Sequence, residues 1–256
     1  MAGLKSSLSI SSDLLRKDFF MTPTIVTDTL PRLDPAAGPL DILRQGLKIA
    51  GGPVSLACSF SVEDVVLIDL LQQANLPVGI FSIDTGRLNE ETYEVAEAVL
   101  QRYGVRIDWY FPQRQAVERL ERDKGVFSFR DSLDNRHECC GIRKVEPLGR
   151  ALACLSGWIT GLRRGQSVTR TELTALDVDE LHGGILKINP LLAWSEADVW
   201  SYAEGNRLPV NRLHRLGYPS IGCAPCTRAV EPGAHPRSGR WWWEDPEHKE
   251  CGLHRR

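Results

Sequence analysis

Cys139 and Cys140 are neighbours, and a second pair, Cys223-Ala224-Pro225-Cys226, stands far downstream. If the four thiolates serve one centre, two segments separated by a large part of the chain must meet. A single tetrahedral zinc would accept four thiolates, but adjacent side chains point apart, which suits a cubane with a separate iron for each sulfur. The doublet therefore points to a [4Fe-4S] cluster with Cys139, Cys140, Cys223 and Cys226 as ligands. Cys251 lies outside both clips, in the basic tail Lys249-Glu250-Cys251-Gly252-Leu253-His254-Arg255-Arg256. Cationic neighbours favour a thiolate there, and the two features together imply sulfur chemistry. Cys58 and Cys154 fall in apolar runs and read as inert core thiols.

The chain has 256 residues, 42% of them hydrophobic, enough for one principal core. A formal net charge of -2 gives no global basic surface, so neither nucleic acid nor a membrane is an expected partner. No secretory leader or transmembrane run stands out. Seven cysteines, odd in number and grouped in motifs, read as ligands and nucleophile in a reducing, cytoplasmic compartment.

Residues 1–38 carry Pro23, Pro31, Pro35 and Gly38 among serines and threonines and read as a flexible N-terminal arm, with Met21 as an alternative start. From 39 to 209 short strand-like runs alternate with longer helical ones, the pattern of an α/β domain with a mostly parallel sheet and flanking helices. Strands are expected at 54–57, 79–83, 105–110 and 158–162. Helices are expected at 62–73, 89–103, 113–122, 147–155 and 196–204. Residues 210–256 are rich in Gly, Pro, Cys, His and Trp and read as an irregular cluster-binding segment ending in a catalytic tail.

In such a sheet, ligands bind beyond the carboxyl ends of the strands, and the polar motifs fall there. Ser59-Phe60-Ser61-Val62-Glu63-Asp64 follows the first strand, with Ser61 and Asp64 spaced as an N-cap and its partner. Asp84-Thr85-Gly86-Arg87 follows the second, and Gly161-Leu162-Arg163-Arg164-Gly165 the fourth. Backbone N–H groups at the first turn and arginines on the others suit a phosphate or sulfate. Arg143 and Lys144 come directly after the doublet, placing two cations beside the metal centre and any anionic ligand near it. The run Trp241-Trp242-Trp243 reads as an anchor for the tail.

Taken together these residues resemble the phosphoadenylyl-sulfate/adenylyl-sulfate reductase family, and within it the assimilatory adenylyl-sulfate reductases. The resemblance runs from about Gly52 to the C-terminus. It is carried by the loops at 59–64 and 83–87, by Cys139-Cys140-Gly141-Ile142-Arg143-Lys144, by Cys223-Ala224-Pro225-Cys226-Thr227-Arg228, by Arg237-Ser238-Gly239-Arg240-Trp241-Trp242-Trp243-Glu244, and by Glu250-Cys251-Gly252-Leu253-His254. The resemblance implies an adenine-nucleotide alpha-hydrolase-like fold and a [4Fe-4S] cofactor. Adenosine 5'-phosphosulfate would bind at Ser59, Ser61, Asp84, Thr85, Gly86, Arg143, Lys144, Arg164, Arg237, Arg240 and His254. Cys251 would attack its sulfur, giving AMP and an S-sulfocysteine, from which thioredoxin or a glutaredoxin-like donor releases sulfite. A homo-oligomer is compatible with this reading. In one respect the chain departs from the family, since its first loop holds no glycine.

Three rival readings use the same residues. A reductase for the 3'-phosphorylated nucleotide shares the motifs. An ATP pyrophosphatase shares the fold, although cradling a triphosphate favours a glycine-bearing loop. A metal-binding sensor would make Cys251 incidental.

Overall fold

The computed structural model describes residues 30–31, 33–34, 36–166 and 173–245. Among them, β1 (Val54–Ala57), β2 (Gly79–Ile83), β3 (Asp108–Tyr110), β4 (Gly157–Ile159), β5 (Leu176–Asp179) and β6 (Ile185–Ile188) form one sheet in the order β3-β2-β1-β4-β6-β5. Five strands run parallel, and β5 pairs antiparallel at the edge. The helices are α1 (Pro39–Ala50), α2 (Val62–Gln73), α3 (Glu90–Tyr103), α4 (Arg114–Lys124), α5 (Leu133–Cys140), α6 (Glu146–Leu152) and α7 (Glu196–Gly205). None is long and apolar enough to cross a membrane.

The expected mostly parallel α/β architecture is therefore present, with local differences. The third strand begins at Asp108 rather than 105, because Val105 and Ile107 pack against the core without pairing to a neighbour. The fourth ends at Ile159: the Thr160 hydroxyl donates to Asn189 Oδ1 at 2.6 Å and accepts from Leu162 N–H, turning the chain out of the ladder. Neither β5 nor β6 was anticipated, and β6 is the more instructive case. Its Lys187 is buried with the ammonium 4.9 Å from the Trp158 ring centre, so a charged residue sits inside an otherwise apolar strand. Cys58 is buried as expected, but Cys154 is exposed in the turn after α6.

One face of the sheet carries the main core, with α1, α2, α3 and α7; α6 covers part of the other. Every residue of α2 from Val62 to Leu71 is buried, which makes it the central helix of that layer. Asp69, on its inner turn, accepts from Tyr103 OH at 2.7 Å, Tyr202 OH at 2.8 Å and Gln73 Nε2 at 2.7 Å. One buried carboxylate thus joins α2 to α3 and α7, and the start of α2 is fixed by the layer around it.

That start is built from side chains. Ser61 is the N-cap, its Oγ accepting from Asp64 N–H, while Asp64 Oδ2 accepts from the N–H and the hydroxyl of Ser59 at 2.7 Å each. Burial pushes the Asp64 carboxyl up to about 6, against the lowering effect of the Ser59 and Ser61 bonds, and the charge of Glu63 adds to the rise. A carboxyl whose pKa is higher folded than unfolded lets the native state hold the extra proton, so its stabilising contribution fades as pH climbs through the folded value. Between pH 5 and 7 the native protein is expected to lose about 1 kcal/mol through this group. Chemical-denaturation midpoints at the two pH values should show that decline in the wild type and its absence in Asp64→Asn.

Candidate functional site

From β1 the chain winds outwards through β2 to β3, then returns to place β4 on the other side of β1. The loops leaving β1 and β4 part at this reversal, which is where an open parallel sheet offers its ligand crevice. The two loops are in close contact. A Cβ on Gly161 would stand 2.6 Å from Asp64 Oδ1 and 2.9 Å from Glu63 Cβ, so only glycine lets the β4 loop approach the start of α2. Arg163 is buried there with its Nε donating to Glu63 Oε1 at 2.9 Å. Arg164, the arginine expected at the ligand, is exposed on a short turn, its N–H bonded to Leu192 O.

The turn after β2 forms the second wall. Asp84 Oδ1 accepts from Gly86 N–H at 2.7 Å, closing the turn, and Oδ2 accepts from Tyr93 OH at 2.8 Å. Burial and the neighbouring Asp84 push the Tyr93 hydroxyl up to about 12, keeping it a donor. Gly86 has a φ of 69°, and a Cβ there would meet the guanidinium of Arg143 at 3.3 Å. Thr85 is buried and holds three groups at once. Its carbonyl accepts from Arg143 Nη1 at 2.7 Å, its hydroxyl accepts from Arg87 N–H at 3.2 Å, and the same hydroxyl lies 3.3 Å from Cys223 Sγ.

The cysteines come together beyond this turn. α5 ends at Cys140 and continues as a π-helical turn, Gly141–Val145, a wider coil of the kind found at functional sites. Arg143 from this turn lies beside the Cys139 thiol, and Lys144 beside those of Cys223 and Cys226. Cys139, Cys140, Cys223 and Cys226 line one small cavity of about 20 Å³, together with Arg87, Arg136, Arg143, Lys144 and Arg240. None of the four is joined in a disulfide. Among the described residues, no three His, Cys, Asp or Glu side chains gather at one point as ligands of a single ion.

The charges around the cavity are unevenly shared by the thiols. Burial raises Cys139, opposed by Arg87 and Arg143. Burial and the facing Cys223 push Cys226 up to about 12. Burial would raise Cys223 too, but Lys144, the Thr85 hydroxyl, Arg240 and Arg87 together outweigh it and hold its thiol below the ordinary value. Arg143 and Arg87 also share the carboxylate of Glu121, on α4. A thiol set of this kind, in a cationic setting, suits a metal centre whose own charge would hold all four as thiolates.

Thus Asp84, Thr85, Gly86, Arg143, Lys144 and Arg240 border the cysteine cavity or the turn that walls it, while Ser59 and Ser61 lie at the start of α2. Arg237 is half-buried in the turn leading to Arg240, and Cys251 and His254 lie outside the described residues. Arg136 and Glu121 were not singled out from the sequence, and Arg87 was read only as part of the turn after β2. Arg136 had a legible signal, since it stands three and four residues before the doublet, on the same face of one helix. Glu121 had none, because its partners are joined only by the fold.

The family signature of the phosphoadenosine phosphosulfate reductase domain matches residues 53–229. A protein named adenosine 5'-phosphosulfate reductase from Allochromatium vinosum is 50% identical over 91% of this chain and 90% of its own length. One of the same name from Burkholderia cepacia is 47% identical over 91% and 93%. Among solved structures, a phosphoadenylyl-sulfate reductase from Candida auris in complex with phosphate superposes with a TM-score of 0.62 at 30% identity, covering 76% of this chain and 91% of that one. The sheet order, the crevice and the matched residues agree with this kinship, and the chain belongs to the phosphoadenosine phosphosulfate reductase domain family.

Proposed function

We propose that this protein reduces adenosine 5'-phosphosulfate to sulfite and AMP, as a thioredoxin-dependent enzyme of assimilatory sulfate reduction in the cytoplasm. The observation that carries the reading is the joining of two sites by one residue: Thr85 belongs to the turn walling the nucleotide crevice and touches Cys223 of the thiol-lined cavity. The two bacterial relatives bear the name of the unphosphorylated nucleotide, which favours it over the 3'-phosphorylated one.

Cys139, Cys140, Cys223 and Cys226 would hold a [4Fe-4S] cluster, and the donor set fits it. The thiols ring one cavity, two come from adjacent residues, and cations surround them. When bound, the cluster supplies an electrostatic and structural centre beside the substrate turn.

The chain's own residues would divide the remaining work. The start of α2 offers the Ser61 hydroxyl and the positive end of a helix to an anion, while Ser59, whose N–H and hydroxyl both donate to Asp64, shapes the loop beside it. Asp84, Thr85 and Gly86 wall the nucleotide, and Arg143 is held against Thr85 O, aimed along the same wall. Lys144, Arg164, Arg237, Arg240 and His254 would neutralise the phosphosulfate oxygens, which lets a thiolate approach an anionic centre and makes AMP the better leaving group. The Cys251 thiolate attacks the sulfur, a sulfur–sulfur bond forms, and the sulfur–oxygen bond to AMP breaks. A thiolate of the donor then attacks Cys251 Sγ, expelling sulfite. The donor's second thiol displaces Cys251, so the dithiol gives up two electrons and the sulfonate sulfur takes them.

Incubation of the purified protein with adenosine 5'-phosphosulfate, without reductant, should place a sulfonate on Cys251 detectable by mass. Cys251→Ser should remove that adduct and lower kcat more than about a thousandfold; an adduct persisting in the variant would mean that the nucleophile is another residue. Steady-state comparison should give a kcat/KM at least ten times higher for adenosine 5'-phosphosulfate than for its 3'-phosphorylated form, and the reverse order would transfer the assignment to the rival substrate. The protein as isolated should contain iron and acid-labile sulfide with broad visible absorption, all lost in Cys140→Ser. Colourless protein carrying zinc would remove the cluster from this account.

A further inference from the structure

We propose that the buried ion pair of Arg136 with Glu244 is a positioning device, which fixes the place of Glu244, the point to which the residues leading to Cys251 are attached. The proposal rests on the role given above to Cys251. Arg136 has no exposed surface, and its Nε and Nη2 donate to the two carboxylate oxygens of Glu244 at 2.9 Å each. The same guanidinium lies 4.6 Å from the ring centre of Trp241, itself buried. Trp241 N–H donates to Cys226 O at 3.1 Å, and Glu244 N–H donates to Trp241 O at 2.9 Å. The segment 241–244 is therefore clamped on both sides, to the helix that ends in Cys139 and Cys140 and to the clip that ends in Cys226.

Stability is a poor reason for this arrangement. Apolar side chains of similar volume commonly serve a core as well as a buried ion pair does. What an apolar contact lacks is a unique geometry. A two-pronged guanidinium–carboxylate contact admits one relative orientation of the two backbones, and lysine could not reproduce it. The pair thus specifies register, and the register it specifies is that of the chain just before the nucleophile.

Six residues lie between Glu244 and Cys251, and the seven steps from one to the other span at most about 25 Å. Whatever path those residues follow, the thiol is confined to a volume centred on Glu244. Its encounter with the substrate sulfur depends on where that centre lies relative to the turn at Asp84 to Arg87. Arg136 ties the centre to α5, and the cavity ties α5 to Thr85 through Cys223. An error of about one ångström in such a chain of positions is enough to slow a reaction a hundredfold.

The test compares full-length holoprotein of the wild type with E244Q, which removes the charge but keeps the shape, and E244D, which keeps the charge but withdraws it by one methylene. Three quantities are measured for each: the rate of sulfonate formation on Cys251 at saturating adenosine 5'-phosphosulfate without thiol reductant, the Kd of AMP, and iron per chain. A positioning role predicts a rate lowered at least tenfold in E244Q and by a smaller factor in E244D, with AMP affinity and iron within twofold of the wild type. Unchanged rates in both variants would overturn it. So would a loss of AMP affinity or iron in step with the rate, since the pair would then serve only the fold. Should E244Q not fold, E244D decides by the same criteria. A wild-type protein that acquires no sulfonate on Cys251 would overturn the proposed mechanism and this inference together, whereas a normal wild-type adduct with unaffected variants overturns the inference alone.

Discussion

The segment beyond residue 209 has little core of its own, and its place depends on being stitched to the turn after β2. Ala224 N–H donates to Arg87 O at 2.8 Å, Asn89 Nδ2 donates to Gly222 O at 3.0 Å, and the Thr85 hydroxyl meets Cys223 Sγ. These contacts fall where a parallel strand ends, the part of the fold whose position is best determined by its neighbours on both sides. The apolar support is small: Leu120, Phe129 and Trp241 close around three of the cysteines. A short irregular segment becomes definite because it borrows the geometry of the sheet. Movement of the β2 turn would carry the cysteine clip with it, so substrate wall and thiol cavity behave as one unit.

Electrostatics makes that unit self-consistent. Buried guanidinium groups are costly without anions, and buried thiolates are costly without cations. Here each answers the other. Glu121 serves Arg87 and Arg143 together, and Glu244 serves Arg136. The cations in turn draw down Cys223 while Cys139 and Cys226 remain raised by burial. The residues of this cavity wall are arranged for more negative charge than the thiols alone carry at neutral pH, which is the condition that a metal centre or an anionic nucleotide nearby would complete.

The parts of this arrangement that were legible in the sequence are those in which chemistry is local. The capped start of α2, the Asp84-Thr85-Gly86 turn, the cysteine doublet and the arginine four residues after its first member can be read from spacing, because each is a contact within one turn of chain. The main strands were legible for a related reason, since an interior parallel strand is a short unbroken apolar run. Lys187 hid β6, because a lysine covered by Trp158 looks like a surface residue until the tryptophan is placed. Arg163 and Arg164 are indistinguishable by spacing, and the fold buries the first on Glu63 and exposes the second. Glu121 could not be found at all, and Glu244 entered only as the last residue of a motif, as their roles arise from partners brought together across more than twenty residues and more than a hundred.

The loop after β1 shows how the chain departs from a glycine-bearing pattern without losing its geometry. Phe60 has a φ of 59°, in the left-handed region where a side chain is strained. The strain is offset by burial, for the ring is 2% exposed and stacks on Trp109 with centroids 5.6 Å apart. Trp109 in turn packs against Tyr93, whose hydroxyl donates to Asp84. The Phe60 side chain therefore links the β1 loop to the β2 turn. The close approach that glycine would have permitted is provided across the crevice, where Gly161 lets the β4 loop pack directly on Glu63 and Asp64. Absence of glycine from the first loop consequently says little about whether an anion can be held there, because the loop's shape is set by the aromatic residues beneath it and by the glycine opposite.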